Sequence, residues 1–203
     1  MSLFLSKLPE TIIQVILFSL IPFIWWLITA RKETNFFKWI GLRKIEDAKK
    51  NNTIIWTAAV AAAFLAISFA MLYLVRDTET ATSDYSAKGA SAIPAVLLYA
   101  IVKTAVAEEI IFRGFLLKRI SAKFDFTVGN IMQSVLFGIM HGIMFFSSVG
   151  MVKAIIIVAF TGGIGWFMGF INEKKANGSI IPSWCVHSAA NIFSALCSAF
   201  SII

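Results

Sequence analysis

The chain has 203 residues, of which 59% are hydrophobic and 14% are charged, and its net charge at pH 7 is +7. Its mean hydropathy of +0.82 excludes an ordinary water-soluble domain and predicts a membrane protein with several spans. The basic residues lie mostly in short loops between apolar runs, so we expect lipid headgroups as their partners and no nucleic acid.

Six apolar runs are long enough to cross a hydrocarbon core of about 30 Å. They cover residues 9–30, 53–75, 92–117, 128–148, 151–171 and 180–202. Helices are expected, because a lone strand in lipid would leave its amides unpaired. The predicted fold is therefore all-α: a multi-pass transmembrane helical bundle of about six spans, which forms a single membrane-embedded domain over 1–203.

The loops between these runs differ in charge. Loops 31–52, 118–126 and 172–179, which fall on one side when the spans alternate, carry twelve of the eighteen lysines and arginines. The other side has four, namely Lys7, Arg76, Lys88 and Lys153. The positive-inside rule then predicts that the three basic loops are cytoplasmic and that both termini lie outside.

The third run contains charges that a membrane span normally excludes. Glu108 and Glu109 lie about two and a half turns before the basic stretch that should mark the membrane surface. An ionisable residue at membrane depth is costly and is a functional-site hypothesis by default. Glu109 and Arg113 are four apart and can neutralise each other, whereas Glu108 points about 100° away. The alternative is a helix end at which the charges reach the headgroups.

Lys103 is a separate question within the same run. Its charge indicates either that the span starts later or that the lysine has a buried partner.

Both histidines of the chain, His141 and His187, fall inside predicted spans. Either one alone could be a satisfied core residue. However, His187 and Asn191 are four apart and share a helix face, which Ser183 extends, and Phe137 and His141 are also four apart. Three spans therefore present polar groups at membrane depth, and a short bundle can bring them together in one cavity.

A carboxylate, two imidazoles and an amide supply the parts for attack of water on an amide bond. A desolvated glutamate can take a proton from water, a histidine can hold that water, and the remaining groups can donate hydrogen bonds to an oxyanion. Glu108, His141 and His187 could instead hold zinc, for which the amide of Asn191 is a poor fourth ligand. A proton relay is a third interpretation.

Three motifs occur in order on three spans: Glu108-Glu109-x-x-x-Arg113, Phe137-x-x-x-His141 and His187-x-x-x-Asn191. Together they resemble the motif set of the CPBP family, the CAAX-protease and bacteriocin-processing (Abi) family of intramembrane proteases, which includes the Rce1 type of CAAX prenyl endopeptidase. The resemblance covers about residues 92–200. It makes 92–203 the motif-bearing catalytic core and leaves 1–91 as accessory helices and a basic loop.

The resemblance implies an intramembrane endopeptidase in which Glu108 and His141 activate water while His187 and Asn191 stabilise the oxyanion. Glu109, Arg113 and Phe137 would be structural support. It further implies an integral protein of a bacterial cell membrane, with its active site open to the cytoplasmic side. The expected substrate is a membrane-associated peptide or protein, in CAAX-type processing or in bacteriocin maturation and self-immunity.

The family is often labelled metalloprotease, but the glutamate-and-water scheme needs no metal, and we expect a metal-free mechanism. Two rival functions are a non-catalytic immunity or binding protein and a proton-coupled transporter. The transporter is disfavoured because the six spans show no internal repeat. The sequence gives no indication of the oligomeric state.

Overall fold

The computed structural model describes residues 2–202, and within this range it contains helices and no strands. Helix α1 spans Leu3–Thr29, α2 spans Phe36–Trp39 and α3 spans Thr53–Val75. A short 3-10 turn, Ser83–Tyr85, leads to α4, a continuous helical run over Gly89–Lys123. Helix α5 covers Phe126–Phe170 and α6 covers Ile181–Ala199. The all-α prediction is confirmed.

Two of these helices are irregular. Helix α4 contains π-helical stretches, Leu98–Val106 and Ile110–Leu117, on either side of Ala107–Glu109. Helix α5 is broken at Gly150, whose φ of 76° and ψ of 173° lie outside the helical region. It therefore forms two helices, 126–149 and 151–170, and continues as a π-helical turn over Ile171–Lys175.

Four helical runs in the described range are long and apolar enough to cross a membrane: α1, α3, α4 and α5 with its continuation. Since α5 is two helices joined at Gly150, it covers two of the six predicted spans. The 19-residue α6 lies at the place of the sixth, but it is not among the helices that are long and apolar enough to cross a membrane. The first helix begins at Leu3 rather than at residue 9, because the side chain of Ser2 accepts the N–H of Leu5 and caps it.

Helix α4 packs against α1, α5 and α6, which places the glutamate pair at the centre of the bundle. The contact with α1 supplies a partner for the charge of Lys103, whose Nζ donates to Oε2 of Glu10 at 2.8 Å. The lysine therefore has a partner on another helix, although the side chain of Glu10 is 49% exposed and not buried as expected. Helix α4 does not start later than predicted.

The two halves of α5 fold back on each other through glycines. A Cβ at Gly138 would lie 2.5 Å from the carbonyl oxygen of Val158, and one at Gly142 would lie 2.3 Å from Cγ2 of the same valine. This is the close approach that small residues four apart allow between membrane helices.

The three basic loops meet at one end of the bundle. Nζ of Lys118 donates to Glu173 at 2.6 Å and to the carbonyl of Gly178 at 2.7 Å. Oγ of Ser179 donates to the carbonyl of Arg43 at 2.7 Å. The twelve basic residues of these loops therefore share one end, hereafter the basic end, and the loop after α3 lies at the opposite end.

Candidate active site

One cavity of about 210 Å³ is lined by polar side chains from three helices. Glu108 comes from α4, His141 from the first half of α5, and His187 and Asn191 from α6. Most of the remaining wall is apolar and comes from α3 and α5, with phenylalanines 64, 137, 145 and 160 and methionines 71 and 144. The structure thus brings the four residues singled out from the sequence to one place.

Glu108 is buried, with 8% of its surface exposed. Its Oε2 has no hydrogen-bond partner among the described residues and lies 3.7 Å from Nε2 of His187. A buried carboxylate oxygen without a partner is costly, and it indicates a group kept for binding or catalysis.

Glu109, the second glutamate of the pair, is fully buried and has several partners. Its Oε1 accepts hydrogen bonds from Nη1 of Arg113 and from Nδ1 of His187, each at 3.0 Å. Its Oε2 accepts from the hydroxyl of Ser183. Glu109 therefore neutralises Arg113, as its spacing predicts, and it also orients His187, which the spacing does not reveal.

The ring of Phe137 lies close to both imidazoles and to the guanidinium of Arg113. Its ring centre lies 4.5 Å from that of His141 and 5.9 Å from that of His187, and the guanidinium carbon of Arg113 lies 4.2 Å from it. The carbonyl of Phe137 also accepts the Nδ1–H of His141 at 2.9 Å. Each histidine thus uses Nδ1 for a protein contact and keeps Nε2 for another partner.

Asn191 is hydrogen-bonded to Thr104 of α4. Its Nδ2 donates to Oγ1 of Thr104 at 3.0 Å, and this hydroxyl donates to the carbonyl of Tyr99 at 2.8 Å. The amide nitrogen of Asn191 carries two hydrogens, so one remains for a ligand in the cavity.

The cavity extends away from the basic end. Its lining on α3 runs from Phe64 to Val75 and continues to the loop residues Thr80, Ala81 and Thr82. In the opposite direction the fully buried side chains of Glu109, Arg113 and Ser183 close the bundle. The catalytic candidates therefore lie at the floor of a cavity that faces the loop after α3.

The carboxylates and imidazoles of the cavity do not form a metal site. Within residues 2–202, no three His, Cys, Asp or Glu side chains are arranged so that they could hold one. Glu108, His141 and His187, which the sequence offers as ligands, do not fit a shared metal in this arrangement.

Two contributors to the site were missed in the sequence. Thr104 lies four residues before Glu108 and shares its helix face, a spacing that could have pointed to it. Asn172 follows the apolar run of α5, where it reads as a loop residue, yet it is fully buried. The spacing places its partner Ser183 on the same helix face as His187, but it does not reveal the contact of Ser183 with Glu109.

A comparison with protein families gives a match over residues 90–193 to the Rce1-like model, described as type II CAAX prenyl endopeptidase Rce1-like. The matched segment covers α4, α5 and most of α6, and it includes all three motifs. No curated protein and no solved structure gives a significant match.

Proposed function

Because the chain belongs to the Rce1-like family of type II CAAX prenyl endopeptidases, we propose that it is an integral-membrane endopeptidase of the CAAX-protease type. Its substrate is a membrane-associated peptide or protein whose scissile bond enters the cavity. The observation that carries this proposal is the buried, unpartnered Oε2 of Glu108 in a cavity shared with His141, His187 and Asn191.

Glu108 acts as the general base in the proposed reaction. It takes a proton from a water beside His141, and the resulting hydroxide attacks the carbonyl carbon of the scissile bond. The carbonyl oxygen becomes an oxyanion. When the C–N bond breaks, Glu108 returns the proton to the leaving amine and is again a carboxylate.

In the proposed reaction the oxyanion forms beside His187 and Asn191, which line the same cavity as Glu108. The remaining amide N–H of Asn191 is available as a donor. Nε2 of His187 lies 3.7 Å from Oε2 of Glu108, and because Nδ1 holds the ring proton, Nε2 becomes a donor when it receives the proton that Glu108 took from water, which it returns to Glu108 before the amine leaves. Fixed donors at a developing oxyanion stabilise the transition state more than the ground state. In a bacterial cell this hydrolysis could serve CAAX-type processing, bacteriocin maturation or self-immunity.

The test is Glu108→Gln, which keeps the shape of the side chain and removes its basicity. The purified protein in detergent is assayed with a fluorogenic prenylated CAAX peptide. We expect the variant to lose about 10²- to 10⁴-fold in kcat, the usual contribution of a general base. Glu79→Gln, in the exposed loop outside the cavity lining, is the matched control and should cleave like the wild type.

Full activity of Glu108→Gln would contradict the glutamate-base mechanism. A wild-type protein that binds but cleaves none of the peptides would favour the immunity or binding function. The same assay with a chelator addresses the metal: we expect cleavage to persist, whereas stoichiometric zinc lost together with activity would make Glu108, His141 and His187 metal ligands.

The orientation of the site is a separate part of the proposal. The resemblance implies a site open to the cytoplasm of a bacterial cell. Yet the cavity lining reaches Val75 and Thr80–Thr82, at the end opposite the three basic loops. A cytoplasmic opening would thus require the basic loops to lie outside. Twelve basic residues lie at the end opposite the cavity mouth and four at the end of the mouth. Because the positive-inside rule puts the more basic end in the cytoplasm, we propose that the cavity opens to the outside.

A further inference from the structure

A chain of buried hydrogen bonds reaches His187 through two residues outside the three motifs. Nδ2 of Asn172 donates to Oγ of Ser183 at 2.7 Å, and the backbone N–H of Ser183 donates to Oδ1 of Asn172 at 3.2 Å. Oγ of Ser183 then donates to Oε2 of Glu109, whose Oε1 accepts from Nδ1 of His187. Asn172, Ser183 and Glu109 are each fully buried.

The direction of these bonds is set by the donors available. Ser183 has one hydroxyl proton and two acceptors within reach, the Glu109 carboxylate and the carbonyl of Ile180 at 3.0 Å. A carboxylate is the stronger acceptor. The side-chain amide of Asn172 already donates to Oγ of Ser183. The Ser183 hydroxyl therefore accepts from Asn172 and donates its own proton to Glu109.

The carboxylate of Glu109 is thereby fixed on both sides. Ser183 binds Oε2, while Arg113 and His187 bind Oε1. Rotation of the carboxylate would break at least one of these buried bonds. A carboxylate held in this way selects the tautomer with the proton on Nδ1 and fixes the ring plane of its histidine.

We propose that Ser183 and Asn172 are positioning residues for His187. They hold Glu109 in the rotamer that keeps the His187 proton on Nδ1 and presents Nε2 to Glu108 at 3.7 Å. The effect on cleavage rests on the proposed function, whereas the effect on the tautomer of His187 is independent of it.

The direct readout is nitrogen NMR of protein labelled with ¹⁵N-histidine. The chain has only two histidines, so a His141→Gln variant assigns both rings. In the wild type we expect the His187 signals of the Nδ1–H tautomer. In Ser183→Ala and in Asn172→Ala we expect a shift toward a mixture of tautomers. Ser188→Ala is the matched control, a buried serine on the same helix whose hydroxyl has no partner within residues 2–202, and it should leave the spectrum unchanged.

The kinetic readout uses the prenylated CAAX peptide. Loss of a group that orients a catalytic residue typically costs about 10- to 100-fold, so we expect kcat of Ser183→Ala to fall by this factor. KM should stay unchanged, because neither residue lines the cavity. Ser183→Thr, which keeps the hydroxyl, should recover most of the lost rate, and Ser188→Ala should match the wild type.

An unaltered His187 spectrum in both alanine variants would overturn the proposal, as would an equal shift in Ser188→Ala. If Ser183→Ala does not fold, Asn172→Ala decides by the same spectrum. If the tautomer shifts as expected but the wild type cleaves no peptide, the positioning role stands and the proposed function fails.

Discussion

Arg113 carries a charge that only its neighbours can compensate, because it is fully buried. Its Nη1 bonds Oε1 of Glu109 at 3.0 Å, and its guanidinium carbon lies 4.2 Å from the ring centre of Phe137. A cation over an aromatic face offsets part of the cost of desolvation. Its Nε and Nη2 have no hydrogen-bond partner in the part of the chain that the structure describes.

We predict that Arg113→Met destabilises the protein strongly. The substitution leaves Glu109 as an unpaired buried charge, which typically costs about 3–5 kcal/mol. Adding Glu109→Gln should recover a substantial part of this loss, because the second substitution removes the orphaned charge. The measurement is the free energy of unfolding of detergent-solubilised protein in a sodium dodecyl sulfate titration.

Arg76→Met is the control for this experiment. Arg76 lies in an exposed pair with Asp77 at 3.7 Å, and such pairs contribute roughly 0–1 kcal/mol. If Arg113→Met were no more destabilising than Arg76→Met, the buried pair would not be a main source of stability at this site.

At the scale of the element, the break in α5 depends on one backbone conformation. Gly150 has φ of 76° and ψ of 173°, a region that is essentially restricted to glycine. A Cβ at Gly150 would meet no atom of the described chain within 4 Å, so a substitution there acts through the backbone alone. Gly163, in the helical second half of α5, also has open space around its Cβ position.

These two glycines form a matched pair for a second prediction. Gly150→Ala should lower the free energy of unfolding by about 1–3 kcal/mol, the cost of a strained non-glycine residue. Gly163→Ala should leave it unchanged or raise it by up to about 1 kcal/mol, because alanine is the better helix former. Both variants are compared in the same titration. Equal effects would show that the break does not require glycine.

At the scale of the whole molecule, the cavity and the basic loops lie at opposite ends of the bundle. The positive-inside rule therefore predicts that the loop after α3 faces the outside, together with the mouth of the cavity. This loop is tied to the first helix, since Nζ of Lys7 bonds Oδ2 of Asp84 at 2.5 Å.

The orientation is tested by cysteine labelling of intact cells with a membrane-impermeant maleimide. The background carries Cys185→Ser and Cys197→Ser, which removes both native cysteines. We expect Glu79→Cys, in the loop after α3, to react from outside, and Lys32→Cys, in the first basic loop, to react only after lysis. The reverse pattern would place the cavity on the cytoplasmic side, as the family resemblance implies.

The sequence by itself determined the helical class, about six spans and the four polar residues that line the cavity. Each of these follows from a local property. Twenty apolar residues span a membrane as a helix, and charge or imidazole inside such a run is too costly to be accidental. Spacings of four residues also placed Glu109 with Arg113 and His187 with Asn191 on shared faces. The gap between the predicted spans 128–148 and 151–171 also falls at Gly150, where α5 is broken.

Only the tertiary structure decided which faces meet. Lys103 donates to Glu10, which is 93 residues away in the sequence. The hydroxyl of Ser183 donates to Glu109, which is 74 residues away. Periodicity says which residues share a face of one helix, but it says nothing about the helix that this face contacts or the rotamers found there. Sequence patterns likewise do not predict the end of the bundle at which the cavity lies. It depends on how α3 and α5 pack around α6, and no local pattern in the chain encodes that packing.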